Sequence, residues 1–185
     1  GTVAITGTVT MNTNPSALNG TIAITTLTIG SSGVVTLASG TLTTAGVFTV
    51  TGAFINNATV NANGASLTGA GNWIQGAGST LNTAGATTNA MSVTTVDFTT
   101  NTPNTVNYSL AGAQTLKAVS YYNLTLSGSG AKTATGVTTV NGNFTVSGTA
   151  TITTMLTSIG GNFIVSGGAA TLGATLTVTG NLTVS

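Results

Sequence analysis

Very few side chains in this sequence could take part in acid–base chemistry. They are one aspartate, Asp97, two lysines, Lys117 and Lys132, and three tyrosines, and His is absent from the 185 residues. General acid–base catalysis needs a positioned titratable group, usually His, Glu or Asp. One carboxylate cannot supply the pair used in glycoside cleavage, and a Ser-His-Asp triad has no base here. The sequence therefore predicts a protein that is not an enzyme.

The charged residues also limit what the protein can bind. Zinc takes Cys, His or carboxylate ligands, and calcium takes several carboxylate or carbonyl oxygens. With one acidic residue and no Cys, we expect no metal and no cofactor. A net charge of +1 neutralises almost no phosphate, so we expect no nucleic-acid partner. Asp97 with Lys117 or Lys132 is expected to form a surface ion pair or a capped turn, with Lys132 on a turn.

Aromatic and threonine side chains are the remaining candidates for a binding surface. A row of exposed aromatic rings would suit sugar binding, but Trp73 and Tyr108 share the pattern position of Phe144, so we expect them to pack inside. Aligned Thr-x-Thr pairs would suggest ice binding. Their spacing is irregular, so we expect that they do not stack in one file; the pairs are Thr26/Thr28, Thr49/Thr51, Thr151/Thr153 and Thr175/Thr177.

Composition points to strands and turns along the whole chain. Hydrophobic residues make up 41% of the sequence and charged residues 2%, so the chain can bury a core and lacks the high net charge typical of disorder. No stretch of about 18 uninterrupted apolar residues is present, so we expect no membrane insertion. Thr, Val and Ile favour strands, Gly and Asn favour turns, and all of them are mediocre or poor helix formers. We therefore expect an all-β fold.

An internal repeat is plain in the last third of the chain. The segment Gly142–Ser147 (GNFTVS) recurs as Gly161–Ser166 (GNFIVS) and as Gly180–Ser185 (GNLTVS), with a spacing of 19 residues both times. Asn123–Gly128 fits the same pattern one step earlier, at a spacing of 20. Repeats of this length indicate a protein built from stacked structural units.

Each repeat contains about three short strands, separated by Gly, Ser and Asn. Alternation along a strand sends every second side chain inward, and the inward positions of successive repeats are large and apolar. Stacked repeats would align these side chains in interior columns: Leu124, Phe144, Phe163 and Leu182 in one, and Val146, Val165 and Val184 in the other. A parallel β-solenoid needs such columns, with coils of about 19–20 residues stacked about 4.8 Å apart.

Asparagines recur at one corner of the predicted coil, at Asn123, Asn143, Asn162 and Asn181. Asn tolerates a left-handed backbone and can hydrogen-bond to the copies above and below it. The alternative architecture is an antiparallel sandwich with turns every ~8–12 residues. A sandwich has no reason to keep side-chain identity in a 19-residue register.

The sequence thus predicts a single parallel β-solenoid, or β-helix, over residues 1–185. Residues 107–185 hold the most regular repeats. The segment 77–106 breaks the rhythm and is expected to be an irregular coil or an insertion.

The C-terminal half resembles a known class of protein. Tyr121–Thr133, Val140–Ser147 and the preceding Gly112–Leu116 are similar to the strand-repeat segments of very large secreted bacterial surface proteins, the filamentous haemagglutinin-like and autotransporter-passenger-like adhesins. The resemblance covers about 107–185 and is one of repeat class. It implies a parallel β-solenoid, export from the cell and a structural role at the cell surface, and it carries no catalytic residues.

We therefore expect a secreted, extracellular structural protein, either a subunit of a fibre or filament or a stalk segment of a surface adhesin. Its expected partner is itself, in a head-to-tail homopolymer in which the end rungs stack. The candidate polymer interface comprises Thr2, Val3, Ile5, Leu182 and Val184. The alternatives are a module that binds a glycan or a host or abiotic surface, and an ice-binding solenoid.

Overall fold

The computed structural model describes residues 1–13, 15–64, 66–85 and 90–185. Within these ranges the chain forms strands, turns and bends and no helix. Accordingly, these ranges contain no helix that is long and apolar enough to cross a lipid bilayer.

Short strands follow one another along the chain, as expected for a sequence rich in Thr, Val and Ile and interrupted by Gly and Asn. They are β1 (Thr2–Met11), β2 (Ser16–Leu18), β3 (Thr21–Ile29), β4 (Val34–Leu37), β5 (Thr41–Thr44), β6 (Phe48–Val50), β7 (Ala53–Asn56), β8 (Thr59–Ala62), β9 (Leu67–Thr68), β10 (Asn72–Gln75), β11 (Thr80–Thr83), β12 (Thr95–Asp97), β13 (Thr105–Tyr108), β14 (Gln114–Thr115), β15 (Asn123–Leu126), β16 (Ser129–Thr133), β17 (Thr139–Val140), β18 (Phe144–Ser147), β19 (Thr149–Thr154), β20 (Ser158–Ile159), β21 (Phe163–Ser166), β22 (Ala169–Leu172), β23 (Thr177–Val178) and β24 (Leu182–Val184).

Most strands pair in parallel with the strand one coil before and the strand one coil after, so the chain winds as a β-solenoid of about nine turns with a spacing near 19 residues. In the middle of the solenoid β9, β12, β14 and β17 each pair with one strand only. The predicted all-β parallel solenoid is confirmed. Since most coils contribute three strands in turn, the solenoid has three faces. Face 1 holds the first halves of β1 and β3, then β5, β8, β11, β13, β15, β18, β21 and β24. Face 2 holds the second halves of β1 and β3, then β6, β9, β14, β16, β19 and β22, and face 3 holds β2, β4, β7, β10, β12, β17, β20 and β23.

The core is a set of apolar columns that run along the solenoid axis. On most strands alternate side chains are buried, as in Thr41–Thr44, where Leu42 and Thr44 point inward. Large aromatic side chains fill the wider part of the interior: Phe54 and Trp73 have ring centroids 4.7 Å apart, and Phe48 contacts both. Burial of such rings is the main stabilising contribution that a chain with so little charge can make.

Two interior aromatics lie in columns other than the predicted one. Trp73 is buried as expected but pairs with Phe54 on face 3. Tyr108 is also buried and pairs with Leu126, in the column that continues to Val146 rather than to Phe144. The repeat in this part of the chain is too weak to fix the register, because the coils differ in length.

The segment 77–106 contains β11 and β12 and the long coil of the solenoid. Leu81 pairs with Val106, 25 residues later, whereas Phe144 pairs with Phe163 after 19. Residues 86–89 of this segment lie outside the described residues. The additional length is accommodated between strands, and β11 keeps its place between β8 and β13 on face 1.

Glycines line the corner between faces 1 and 2 in the C-terminal half. Gly128, Gly148 and Gly167 stand one above another, and all have positive φ values, of 73°, 64° and 80°. A Cβ at Gly148 would lie 2.5 Å from the carbonyl oxygen of Gly128. This corner therefore needs glycine both for its backbone conformation and for the close approach of the next rung.

Candidate interaction surfaces

The two predicted apolar columns lie side by side on face 1. Leu124, Phe144, Phe163 and Leu182 pair in succession, and Leu126, Val146, Val165 and Val184 form the second column. The Phe144 and Phe163 rings stack with centroids 5.2 Å apart. Exposure rises along the first column, from 0% at Phe144 through 4% at Phe163 to 62% at Leu182. The columns therefore open onto solvent at the C-terminal end of the solenoid.

The corner asparagines form a hydrogen-bonded ladder. The Oδ1 atom of Asn123 accepts a hydrogen bond from the backbone N–H of Asn143 at 2.8 Å, and Asn143 does the same for Asn162 at 2.8 Å. Asn162 in turn accepts from the backbone N–H of Asn181 at 2.9 Å. Each Asn thus satisfies a backbone donor of the next rung, which explains why this residue type recurs at this corner.

Apolar side chains are exposed at both ends of the solenoid. Five of the large hydrophobic residues that are well exposed lie on the first or last rungs: Val3, Ile5, Leu172, Leu182 and Val184, with exposed fractions of 56%, 40%, 48%, 62% and 72%. The other two such residues in the described part of the chain, Val47 and Met155, lie on the sides. At the C-terminal end Leu172, Leu182 and Val184 line an open apolar cleft together with Phe163 and Val165.

Both end rungs also present strand edges. The long strand β1 pairs with β3, and β24 pairs with β21, each along one edge only in the described part of the chain. Edges are normally protected by charges, prolines or covering segments. The first and last rungs of the described chain carry no charged side chain, because every charged residue of the sequence lies within 97–132.

Face 1 carries a regular array of polar side chains on its outer surface. One position holds a threonine on six successive rungs: Thr2, Thr21, Thr41, Thr59, Thr80 and Thr105. Two residues further along the strand, Asn82 donates to Asn61 at 2.8 Å and Asn107 donates to Asn82 at 3.1 Å. We call these two rows the Thr/Asn face.

The expectation that the Thr-x-Thr pairs would not stack in one file is confirmed. Thr28 pairs with Thr49, so the second threonine of one pair lies against the first threonine of the next. The long file on face 1 uses threonines outside those pairs. A search for Thr-x-Thr alone could not find it, because coils of unequal length hide its register.

Two of the three tyrosines lie inside the solenoid, so they cannot form a sugar-binding platform. Tyr108 and Tyr121 are fully buried, and their hydroxyl groups lie 2.8 Å apart. The Tyr121 hydroxyl donates to the carbonyl oxygen of Lys117 at 2.7 Å, and the backbone N–H of Lys117 donates to the Tyr108 hydroxyl at 3.0 Å. Burial raises the pKa of Tyr108, and raises that of Tyr121 well above its usual value. Interior aromatics count against the sugar-stacking hypothesis.

Lys132 lies in the interior, which contradicts the prediction that it sits on a surface turn. It belongs to β16, is 2% exposed, and occupies the inward position that Ile152 takes one coil later. Its Nζ atom donates to the carbonyl oxygens of Leu110 at 2.7 Å and Gly112 at 3.1 Å, and to Oε1 of Gln114 at 3.3 Å. Three carbonyl acceptors replace water around the ammonium group, which is how a buried cation without a carboxylate partner is tolerated.

We expect Lys132→Ala to destabilise the fold by about 2–4 kcal/mol, because three inward-facing acceptors lose a charged donor. Lys117→Ala is the matched control. The Lys117 ammonium group donates to one acceptor, the carbonyl oxygen of Val93, at 2.6 Å, so its loss should cost about 1 kcal/mol. Chemical denaturation of both variants measures the difference, and equal costs would contradict the special role of Lys132.

Asp97 forms the capped turn that was one of its two expected roles. Its Oδ1 atom accepts hydrogen bonds from the backbone N–H groups of Thr99 and Thr100, both at 3.0 Å. Burial opposes ionisation of this carboxyl, but the backbone donors outweigh that effect and hold its pKa below the usual value. Burial lowers the pKa of the ammonium groups of Lys117 and Lys132.

Stability should be nearly constant between about pH 5 and pH 9 and should fall above about pH 10. Because the pKa of Asp97 is lower in the folded chain than in the unfolded chain, its carboxylate stabilises the fold at pH values above the unfolded-chain pKa near 4. This contribution is lost only in acid. The raised pKa values of Tyr108 and Tyr121 stabilise the fold until the tyrosines of the unfolded chain ionise. The lowered lysine pKa values act in the opposite direction just below pH 10.5, but the displacement of the Tyr121 pKa is the larger one.

Thermal melts recorded across this pH range measure the effect. A large change in melting temperature near pH 6 would contradict this prediction, because no group of the chain is expected to titrate there.

The sequence predicted only some of the apolar residues at each end of the solenoid. Ala170, Leu176 and Val178 pack against the core from the last coil, and Val9, Met11 and Leu18 do so from the first. The alternation of side chains along β1 and β22 was the available signal. It shows which side chains face the core only once the register between coils is known.

Comparisons with protein-family models, with curated proteins and with solved structures find no match to this chain.

Proposed function

We propose that this protein is a non-enzymatic structural protein that assembles end to end into a filament outside the cell. The observation that carries the proposal is the location of its exposed apolar side chains, which concentrate on the first and last rungs. Apolar groups on an exposed strand edge favour the addition of another strand. The occupant we assign to each end is the opposite end of a second copy of the chain.

Several features of the chain support assembly. Each large side chain buried on stacking contributes about 1.5–3 kcal/mol, and both ends offer several of them. A net charge of +1 gives almost no repulsion between copies. Contacts between unlike ends are heterologous, so they produce open filaments when the rotation between copies does not close a ring.

The location outside the cell, either in a fibre or as a stalk segment of a bacterial surface adhesin, rests on the resemblance of residues 107–185 to secreted surface proteins. A repeated rung supplies length rather than a localised site. The proposal that the protein is not an enzyme rests instead on the composition, since the chain has a single carboxylate side chain and no His.

Charge placed on an end rung tests this function. Val184→Lys puts an ammonium group on a side chain that is 72% exposed at the C-terminal end, and stacking would bury it without a partner. Val47→Lys is the control, because Val47 is 46% exposed on the side of the solenoid. We expect filaments in negative-stain images of the unmodified chain and of Val47→Lys, and short separate rods for Val184→Lys. A monomeric unmodified chain at high concentration would contradict the proposal.

The Thr/Asn face favours one second candidate function, which is binding to ice. Its threonine file presents a hydroxyl and a methyl group on each of its rungs, about 4.8 Å apart, on a sheet face whose strands carry no charged residue. Thr59→Tyr would interrupt the file, whereas Thr153→Tyr alters an exposed position on face 2. Inhibition of ice recrystallisation by the unmodified chain and by Thr153→Tyr, but not by Thr59→Tyr, would support this function. No inhibition by the unmodified chain would remove it.

A further inference from the structure

We propose that Asn63 is a site of spontaneous deamidation, at which its side-chain amide becomes a carboxylate through a reaction with the backbone of Gly64. Three Asn–Gly pairs occur in the sequence: Asn19–Gly20, Asn63–Gly64 and Asn141–Gly142. Asn followed by Gly is the least hindered dipeptide for this reaction, because glycine has no Cβ beside the attacking nitrogen. The sequence makes the three pairs equivalent, and the fold selects one of them.

The reaction needs only the chain itself and water. The backbone nitrogen of Gly64 attacks Cγ of Asn63, a new C–N bond forms, and the side-chain nitrogen leaves as ammonia with the proton of the Gly64 N–H. The cyclic imide that results then adds water at either of its carbonyl groups. Cleavage of one C–N bond gives aspartate, and cleavage of the other gives isoaspartate, in which the main chain passes through the side-chain carbon.

Cyclisation requires a backbone nitrogen that is free to react and a side chain that is free to reach it. An N–H group that is bonded to a neighbouring rung must first break its hydrogen bond, so the chain reaches the reactive geometry less often. The hydrogen bonds of the three glycines therefore determine which pair reacts.

Two of the three pairs are held by neighbouring rungs. The backbone N–H of Gly20 donates to the carbonyl oxygen of Ser39 at 3.2 Å, and Oδ1 of Asn19 accepts a hydrogen bond from the Ser39 hydroxyl at 3.1 Å. Gly142 is buried, and its N–H donates to the carbonyl oxygen of Tyr122 at 2.8 Å. At both places the nitrogen that would attack is already engaged.

The corner between β8 and β9 lacks this restraint. The backbone N–H of Asn63 donates to the carbonyl oxygen of Thr44 at 2.9 Å, but the N–H of Gly64 donates to no backbone acceptor among the described residues. The glycine at the same place one rung earlier, Gly46, donates to the carbonyl oxygen of Thr25 at 2.6 Å. The ladder of hydrogen bonds is thus interrupted at the one nitrogen that the reaction uses.

This corner is also open to water. Asn63 and Gly64 are both exposed, and a Cβ built on Gly64 would have one neighbour within 4 Å in the described part of the chain, the carbonyl oxygen of Ala45 at 3.6 Å. A Cβ on Gly142 would instead lie 2.9 Å from the Tyr122 ring. The amide of Asn63 therefore has room to turn toward the Gly64 nitrogen, and water can reach the imide.

Deamidation would alter the charge of an otherwise uncharged region. The sequence has no charged side chain in residues 1–96, so the new carboxylate would be the first there, and it would lower the net charge of +1 by one. The corner lies on the side of the solenoid, several rungs from β1. We therefore expect end-to-end assembly to be unaffected, and this inference stands apart from the proposed function.

The single aspartate of the sequence makes the product easy to detect. The purified chain is aged in mildly alkaline buffer, then unfolded and digested with endoproteinase Asp-N, which cuts before aspartate. The fresh chain should be cut before Asp97 alone, and the aged chain should be cut before residue 63 as well. Isoaspartate, which this protease does not cut, is quantified with protein isoaspartyl methyltransferase and located by tandem mass spectrometry.

We expect Asn63 to react about tenfold faster than Asn19 and Asn141 in the folded chain, because the other two pairs must first break a hydrogen bond. In denaturant the three rates should converge. Asn63→Gln should abolish the early modification, since glutamine would have to form a larger ring, and Asn141→Gln is the matched control that should retain it.

Equal rates at the three pairs of the folded chain, or faster reaction at Asn19 or Asn141, would overturn the proposal. It would also be overturned if Asn63 stayed intact in the folded chain over the time in which it reacts in denaturant. A preference for Asn63 that persisted in denaturant would assign the difference to neighbouring residues and contradict the role of the fold.

Discussion

Replacing Phe144 by Asp is expected to unfold the C-terminal half of the solenoid. The Phe144 side chain is completely buried, stacks on Phe163 with ring centroids 5.2 Å apart and pairs with Leu124 on the other side. A carboxylate at this position would have no cationic partner, since the one buried cation of the described residues, Lys132, is already bound to three carbonyl oxygens. Burial of an unpaired charge together with the loss of the ring should cost on the order of 5 kcal/mol or more, which is comparable to the whole stability of many domains.

The control for this variant lies on the same strand. Thr145 follows Phe144 in β18 but points outward and is half-buried, so Thr145→Asp should cost less than about 1 kcal/mol. Circular dichroism and denaturant unfolding of the two variants measure the contrast. If Phe144→Asp unfolds at the same denaturant concentration as the unmodified chain, the interior columns on face 1 are assigned incorrectly.

Replacing Gly148 by Val is expected to destabilise the protein by about 3–5 kcal/mol, through two separable effects. The positive φ of 64° is unfavourable for any residue with a Cβ, and the new Cβ would lie 2.5 Å from the carbonyl oxygen of Gly128 on the rung below. The second effect also acts on the neighbouring rung, because that backbone has to move.

Gly78→Val separates the two effects. Gly78 has a similar φ of 73°, but no atom lies within 4 Å of its hypothetical Cβ. It should therefore cost only the conformational part, about 1–2 kcal/mol. Equal destabilisation of Gly78→Val and Gly148→Val in denaturant unfolding would mean that rung spacing at the Gly148 corner adds nothing, which would contradict the close approach seen there.

The parts of the fold that could be predicted are those in which the same residue types recur at equal spacing along the chain. Phe144, Phe163 and Leu182 occupy equivalent places in three nearly identical segments, and strand alternation alone sends them inward. The recurring asparagine before each of these residues marks a corner for the same reason. Parallel stacking follows, because it places identical side chains over one another.

The parts that could not be predicted depend on registers between coils of unequal length. Trp73 and Tyr108 belong to coils on either side of the long one, and their columns follow from pairing with Phe54 and Leu126. The threonine file on face 1 is hidden for the same reason.

The interior position of Lys132 could not be predicted for a different reason, which is its side-chain type. A lysine in a Gly- and Ser-rich segment is typical of a turn, and only the stacking of β16 against β19 reveals that its position is an interior one. The Gln114 side chain and the two backbone carbonyls that receive its ammonium group come from the preceding coil. Such a set of acceptors has no signature along the sequence.

The parallel ladders also determine how the molecule would respond to mechanical load. Hydrogen bonds between rungs point along the solenoid axis, so a pull on the two ends along that axis loads the rungs in series, and the weakest outer rung peels off first. Each peeled coil releases about 19 residues, which is on the order of 60 Å of extended chain, and the coil from Leu81 to Val106 releases more. A single rod held by its two ends would therefore yield by many small extensions, as its outer coils peel one after another.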